Sequence, residues 1–431
     1  MSALQQILVA LSGASYWFAT LGGTAADDGK GVALDSSGNV YVVGSTSSQG
    51  AGDSDLLLAK YNSAGVILWQ RSLGGASVEN GNGIAVDSAG SVYVTGATYS
   101  EGTGAGDLLL AKYNSAGTIQ WQRSLGEAVR AQTGYGIAVD SSNNVYVTGV
   151  DYNKLMLAKY NSAGVIQWQV FLSNSSEAGQ GIAVDSSSNV YVVGYSDAAG
   201  GAGSNDLLLV KYNASGVIQW QRSLGGAASD LGSGVAVDSS GNVYVAGQTS
   251  SEGAGAQDLL LAKYSSAGVI QWQRRLGGAA TDLGRAIAVD SSANVYVVGY
   301  SNSPSAGATS ALIAKWDTSG TLQWQRSLGG SGSDVASGVA VDSVNGILYV
   351  VGHTASQGAG GNDLLLAKLP MDGTRTGTYG SLTYAANSLT HDVSTLTAAT
   401  RGLSAGTGVN TDAARTLTDA ARTLTSTKTT M

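Results

Sequence analysis

The segment GVALDSSGNVYVVG at residues 31–44 returns as GIAVDSAGSVYVTG at 83–96 and then in five further copies. A long sequence period restricts a chain to stacked or circular arrays of one supersecondary unit. The Asp of each copy falls at Asp35, Asp87, Asp140, Asp185, Asp238, Asp290 and Asp342. A Trp recurs at Trp17, Trp69, Trp121, Trp168, Trp220, Trp272 and Trp324, and a Lys at Lys60, Lys112, Lys159, Lys211, Lys263, Lys315 and Lys368. Each marker occurs seven times, so the chain holds seven units.

Each unit reads as four short strands. G-I-A-V-D and N-V-Y-V-V-G flank an S-S-G hairpin loop, where Gly or Asn supplies the positive φ. D-L-L-L-A-K-Y is an apolar run suited to a strand buried on both faces. An N-S-A-G turn leads to V-I-Q-W-Q-R-S-L, whose alternation predicts a half-exposed edge. Four antiparallel strands per unit predict an all-β, seven-bladed propeller. The ends predict how it closes. Trp17 stands in a fourth strand with no first three before it, and Lys368 in a third strand with no Trp strand after it. The N-terminal strand should complete the seventh blade and remove the open sheet edge. The division is therefore a lead segment over 1–11, the propeller over 12–372 and a tail over 373–431.

Composition narrows the chemistry. No stretch approaches the roughly 20 apolar residues of a membrane helix. The absence of Cys excludes a disulfide scaffold, a thiolate metal site and a cysteine nucleophile. His353 and His391 are the two His, and the net charge of −8 argues against nucleic acid. No cofactor and no metal site are expected.

D-S-S-G-N-V-Y-V-V-G, D-L-L-L-A-K-Y-N-S-A-G and W-Q-R-S-L-G-G resemble bacterial β-propeller repeats of the SBBP type. The resemblance covers about residues 12–372. It implies the propeller fold and a setting among surface, secreted or phage-encoded proteins, and it leaves the tail unaccounted for.

The seven Trp are expected to pack between blades. First and third strands run parallel, so an Asp–Lys pair such as Asp35 with Lys60 is a candidate pin for each hairpin loop; the alternative is an Asp bonded to its own loop amides. The Gly358–Leu366 loop nearly matches a calcium nonapeptide, but that motif works by repeating every nine residues, so a plain Gly-rich loop is expected. The five Glu are scattered over loops and assemble no catalytic pair.

One rim carries the short turns and the other the long connections, where binding is usually placed. Blade three departs from the rest there: Arg130, Tyr135, Tyr152, Asn153 and Lys154 replace the usual Gly and Ser and are the candidate ligand-binding residues. The apolar start lacks the basic residues of a secretory signal. The reading is a non-enzymatic structural or adhesive virion protein, a fibre or decoration component. A carbohydrate or surface receptor is expected on the long-loop rim. The alternatives are a bacterial extracellular surface protein and a carbohydrate-active enzyme. In the tail, Leu382, Leu389, Leu396, Leu403, Leu417 and Leu424 share one seven-residue register, with Asn410 in the missing place. That spacing predicts short helices with a narrow apolar seam. Such a seam needs a partner, so the tail is expected to assemble with copies of itself or with other virion or surface proteins.

Overall fold

The computed structural model describes residues 16–50, 52–100, 105–127, 130–172, 176–197, 204–303, 308–400, 405–407, 411–414, 418–421 and 425–430. Each repeat folds as four antiparallel strands. In blade one these are Asp27–Leu34, Val40–Thr46, Asp55–Tyr61 and Ile67–Gly74, and the third is buried along its whole length. Blade seven combines Asp334–Asp342, Ile347–Thr354 and Asp363–Pro370 with the N-terminal strand Trp17–Gly22, in which Trp17 pairs with Lys368. The first and last propeller strands thus share one sheet, and the ring is closed by hydrogen bonds.

The S-S-G position holds Gly38, Gly90 and Gly241 at φ near 77°, as a left-handed turn requires. Asn143, Ser188 and Ala293 adopt the same conformation in blades three, four and six, with φ between 58° and 60°. Ala293 gains nothing from it, because its methyl cannot bond the backbone as Asn can. Ala293→Gly should therefore stabilise the protein by about 1 kcal/mol, read as a raised midpoint in urea unfolding.

Neighbouring blades are tied by one repeated set of contacts. The Asp35 carboxylate accepts from the Ser37 and Asn39 amides at 2.9 Å and from the Tyr41 hydroxyl at 3.0 Å. The Tyr41 ring lies 6.0 Å from Trp69, and Lys60 Nζ sits 4.8 Å above it. Lys60 Nζ and Trp69 Nε1 both donate to Ser115 O in the turn of blade two, at 3.1 and 3.2 Å. Arg71 Nε donates to Gly117 O at 2.7 Å. Gly117 has φ +76° and faces the Trp69 ring so closely that a Cβ would stand 2.7 Å from it. The N-S-A-G glycine is thus required twice, for the turn and for the indole.

This arrangement corrects the Asp–Lys expectation. Among the described residues only Lys60 and Asp35 come within ion-pair distance, at 3.7 Å. Elsewhere the Lys reaches across to the next blade's turn, as Lys112 does to Ser162 O and Lys368 to Ser63 O. A backbone carbonyl one blade away is nearer than the carboxylate two strands away, and the Asp is already occupied by its own loop.

The fourth strand is not an edge, and the described residues of the tail form strands rather than the expected short helices. After Gly373 the chain turns back and lays one strand on the outer strand of every blade, in the order six, five, four, three, two, one, seven. Thr383, Thr390 and Thr397 pair with Gly329, Gly277 and Gly225, and Thr411, Thr418 and Thr425 with Gly126, Gly74 and Gly22. Ala405–Thr407 supplies the strand on blade three. The seven-residue period is a blade-to-blade step, roughly 23 Å of extended chain at about 3.3 Å per residue. A Thr-rich sequence prefers that conformation to a helix.

Leu382, Leu389 and Leu396 enter the clefts between blades, with exposures of 0%, 7% and 5%. Leu396 packs with Leu207 and Leu224 of blade four and Val243 and Leu260 of blade five. The Gln325 side chain clamps the Leu389 backbone, accepting from its amide at 3.1 Å and donating to its carbonyl at 2.8 Å. Leu382, Leu389 and Leu396 are therefore covered by this chain's own propeller. Leu403, Leu417 and Leu424 lie outside the described residues, and the lead segment 1–11 does as well.

Candidate binding site at the axial channel

In every blade the pairing of first and second strands shifts by one residue, at Gly29/Gly31, Gly81/Gly83, Gly134/Gly136, Gly179/Gly181, Gly232/Gly234, Gly284/Ala286 and Ala336/Gly338. A β-bulge leaves its extra residue unpaired and re-aims its side chain. The extra residues are Lys30, Asn82, Tyr135, Gln180, Ser233, Arg285 and Ser337, and together they line the axial channel. With Gln248, Leu283 and Gly284 they enclose a cavity of about 340 Å³. Val32, Ile84, Ile137, Ile182, Val235, Ile287 and Val339 line the channel beyond them. A varied polar ring thus stands over an apolar floor.

The residue opposite each bulge is always Gly: Gly44, Gly96, Gly149, Gly194, Gly247, Gly299 and Gly352. A Cβ there would stand 1.7 to 1.9 Å from the facing carbonyl oxygen, as at Gly44 against Asp28 O. The V-Y-V-x-G glycine is what lets the bulge form.

Two cations stand on one arc of the ring, in blades six and one, with Ser337 of blade seven between them. Arg285 is exposed and lies 5.1 Å over the Tyr300 ring. Lys30 Nζ is 3.7 Å from Asp28, whose other oxygen is 3.0 Å from His353 Nδ1. The His353 contact, helped by Lys30 and opposed by burial, holds the Asp28 carboxyl below its ordinary range. Ser337 Oγ is buried without a hydrogen-bond partner among the described residues. On the opposite arc, burial raises the Tyr135 pKa, and the nearby phenols of Tyr195 and Tyr99 add to the shift.

Of the five blade-three candidates, Tyr135 stands in the channel. Tyr152 is 65% exposed at the tip of a tight hairpin, at φ +56°, and Asn153 follows it. Lys154 opens the third strand with its Nζ 5.9 Å from the Phe171 ring centre, and Arg130 forms an isolated bridge with Glu127. The structure does not gather these four around the channel. The other ring members carried one legible signal, a variable residue at a fixed place in each repeat, flanked by two glycines in five blades and by one Gly and one Ala in blades six and seven.

The carboxylates on the long-loop rim are occupied in holding its connections. Asp27 accepts from the Gly23 amide at 2.8 Å and the Ser48 hydroxyl at 2.6 Å, and Glu79 from Gly75 at 2.6 Å and Thr98 at 2.9 Å. Glu79 and Glu177 open strands rather than lying in loops. Asp363, which opens the strand after the Gly-rich loop, accepts from the Ala359 amide at 3.0 Å. Asp258 is raised to about 6, chiefly by burial, with Arg275 opposing and Asp282 adding to it. An acid whose folded pKa exceeds its unfolded value of about 4 opposes folding above the folded pKa and ceases to do so as pH falls. Asp258→Asn should accordingly raise the melting temperature at pH 7.5 and leave it unchanged below pH 4. Equal shifts at both pH values would contradict the assignment.

Residues 17–50, 69–102, 120–150, 174–201, 219–253 and 271–304 match the SBBP beta-propeller repeat. A 140-residue stretch is 32% identical to the regulatory protein FlaEY of Caulobacter vibrioides, covering 28% of this chain and 15% of that one. Among solved structures, a gluconolactonase from Xanthomonas campestris aligns over 82% of this chain and 89% of its own, at 12% identity and TM-score 0.39. Sqt1 from Chaetomium thermophilum aligns over 80% and 96%, at 9% identity and TM-score 0.44.

Proposed function

Because this chain is an SBBP beta-propeller repeat protein, we propose that it is a non-enzymatic structural and adhesive protein that binds through its axial channel on the long-loop side. One observation carries the reading. The scaffold residues recur from blade to blade, whereas the seven bulge positions hold six residue types: Lys, Asn, Tyr, Gln, Ser and Arg. Packing would keep such positions alike, as it does for the Val and Ile just below them. Divergence in a recessed ring above a uniform apolar floor fits recognition on a constant frame. The engagement of Glu79 and Asp27 by rim amides and hydroxyls favours a binding role over hydrolysis.

The setting we propose is a virion, with the protein as a fibre or decoration component facing a surface receptor. The resemblance of the repeats to the SBBP type, which implies a setting among surface, secreted or phage-encoded proteins, is what suggests it. Quantitative mass spectrometry of purified particles tests it. A fixed number of copies per particle is expected, and presence only in uninfected cells would overturn the virion setting.

A further inference from the structure

We infer that the channel mouth takes an acidic sugar, a single pyranose ring bearing a carboxylate. The inference rests on the binding reading above and assigns its ligand class. Charge comes first. The chain carries a net charge of −8, yet blades six, seven and one bring Arg285 and Lys30 to the same arc of the ring. Asp28 faces this arc too, 3.0 Å from His353 Nδ1 and 3.7 Å from Lys30 Nζ, so it offsets Lys30 in part and leaves Arg285 as the unopposed cation. Arg285 has no carboxylate within ion-pair distance among the described residues. The Tyr300 ring beneath it, 5.1 Å away, steadies its planar donors. Guanidinium donors match the two oxygens of a carboxylate.

The rest of the ring suits hydroxyls. Gln180 offers an amide that both donates and accepts, Asn82 offers its carbonyl oxygen while its Nδ2 donates to Gly134 O at 2.9 Å, and the half-buried Tyr135 offers an aromatic face for the apolar side of a sugar ring. A cavity of about 340 Å³ lies at the small end of ligand pockets, which start near 300 Å³. That room fits one saccharide unit rather than a chain.

Calorimetric titration of the full chain with sodium glucuronate, glucose and sodium sulfate tests the inference. Saturable glucuronate binding is expected, at least tenfold tighter than glucose or sulfate. Arg285→Gln should weaken it at least tenfold and Lys30→Gln by less, with both melting temperatures unchanged. Glucose binding as tightly as glucuronate would overturn the acidic assignment while leaving the channel a binding site. Sulfate binding equally well would reduce it to an anion site and overturn the sugar. If none of the three binds, or if Arg285→Gln is silent, the ligand class is wrong. Retention on other glycans through the channel would then still uphold the binding reading.

Discussion

Cutting the chain after Gly373 is expected to convert a monodisperse protein into high-molecular-weight aggregates with a lower melting temperature. The cut removes a strand from all seven blades at once. Each outer strand, such as Ile67–Gly74, then presents a row of unpaired amides and carbonyls, which template pairing with another chain. The clefts also lose Leu382, Leu389 and Leu396, each worth about 2 kcal/mol when buried. Light scattering and calorimetry on the truncated and full chains measure both effects. Adding a peptide spanning 374–431 should restore solubility by pairing in trans. A truncated protein that stays monomeric with an unchanged melting temperature would show that the tail contributes nothing to the propeller.

Replacing Gly194 by Ala should be the most damaging small substitution in a blade. Its Cβ would fall 1.7 Å from Ala178 O, and that atom is backbone rather than a side-chain tip that could swing away. Relief requires closing the bulge, which would pull Gln180 out of the channel. The expected cost is about 3 kcal/mol, the upper end for overpacking. Gly38→Ala is the control: nothing lies within 4 Å of its added methyl, and only the positive φ opposes it, for about 1 kcal/mol. Denaturant unfolding distinguishes the two. Equal costs would mean that the bulge is not held by its glycine.

These two glycines also show what the sequence revealed and what it hid. The G of S-S-G was legible because a turn residue between two strands has a local reason. The G of V-Y-V-x-G was not, because its reason lies across the sheet in a shifted register that no local pattern announces. The same shift hid the ring. Lys30, between Gly29 and Gly31, and Arg285, between Gly284 and Ala286, carry no local sign that a bulge turns them inward. The propeller and its closure were legible because Trp17 and Lys368 are the two halves of one interrupted unit. The tail's period was legible too, but not its conformation. Seven residues make two helical turns, and equally one short strand plus a step to the next blade. The Thr after almost every register position favoured the strand, and only the facing row of strand-ending glycines decides it.

Erasing the ring tests the central claim most directly. Five substitutions, Lys30→Ser, Asn82→Ser, Tyr135→Ser, Gln180→Ser and Arg285→Ser, make all seven positions Ser, since Ser233 and Ser337 already are. The readout is retention of labelled full-length protein on a glycan array, beside its melting temperature. The account predicts a protein that still unfolds cooperatively, losing the Asn82–Gly134 O hydrogen bond and the Lys30–Asp28 pair but no core side chain, together with loss of the retention that the unaltered protein shows. A uniform-serine ring that binds the same glycans as strongly would contradict it and place recognition elsewhere on the propeller.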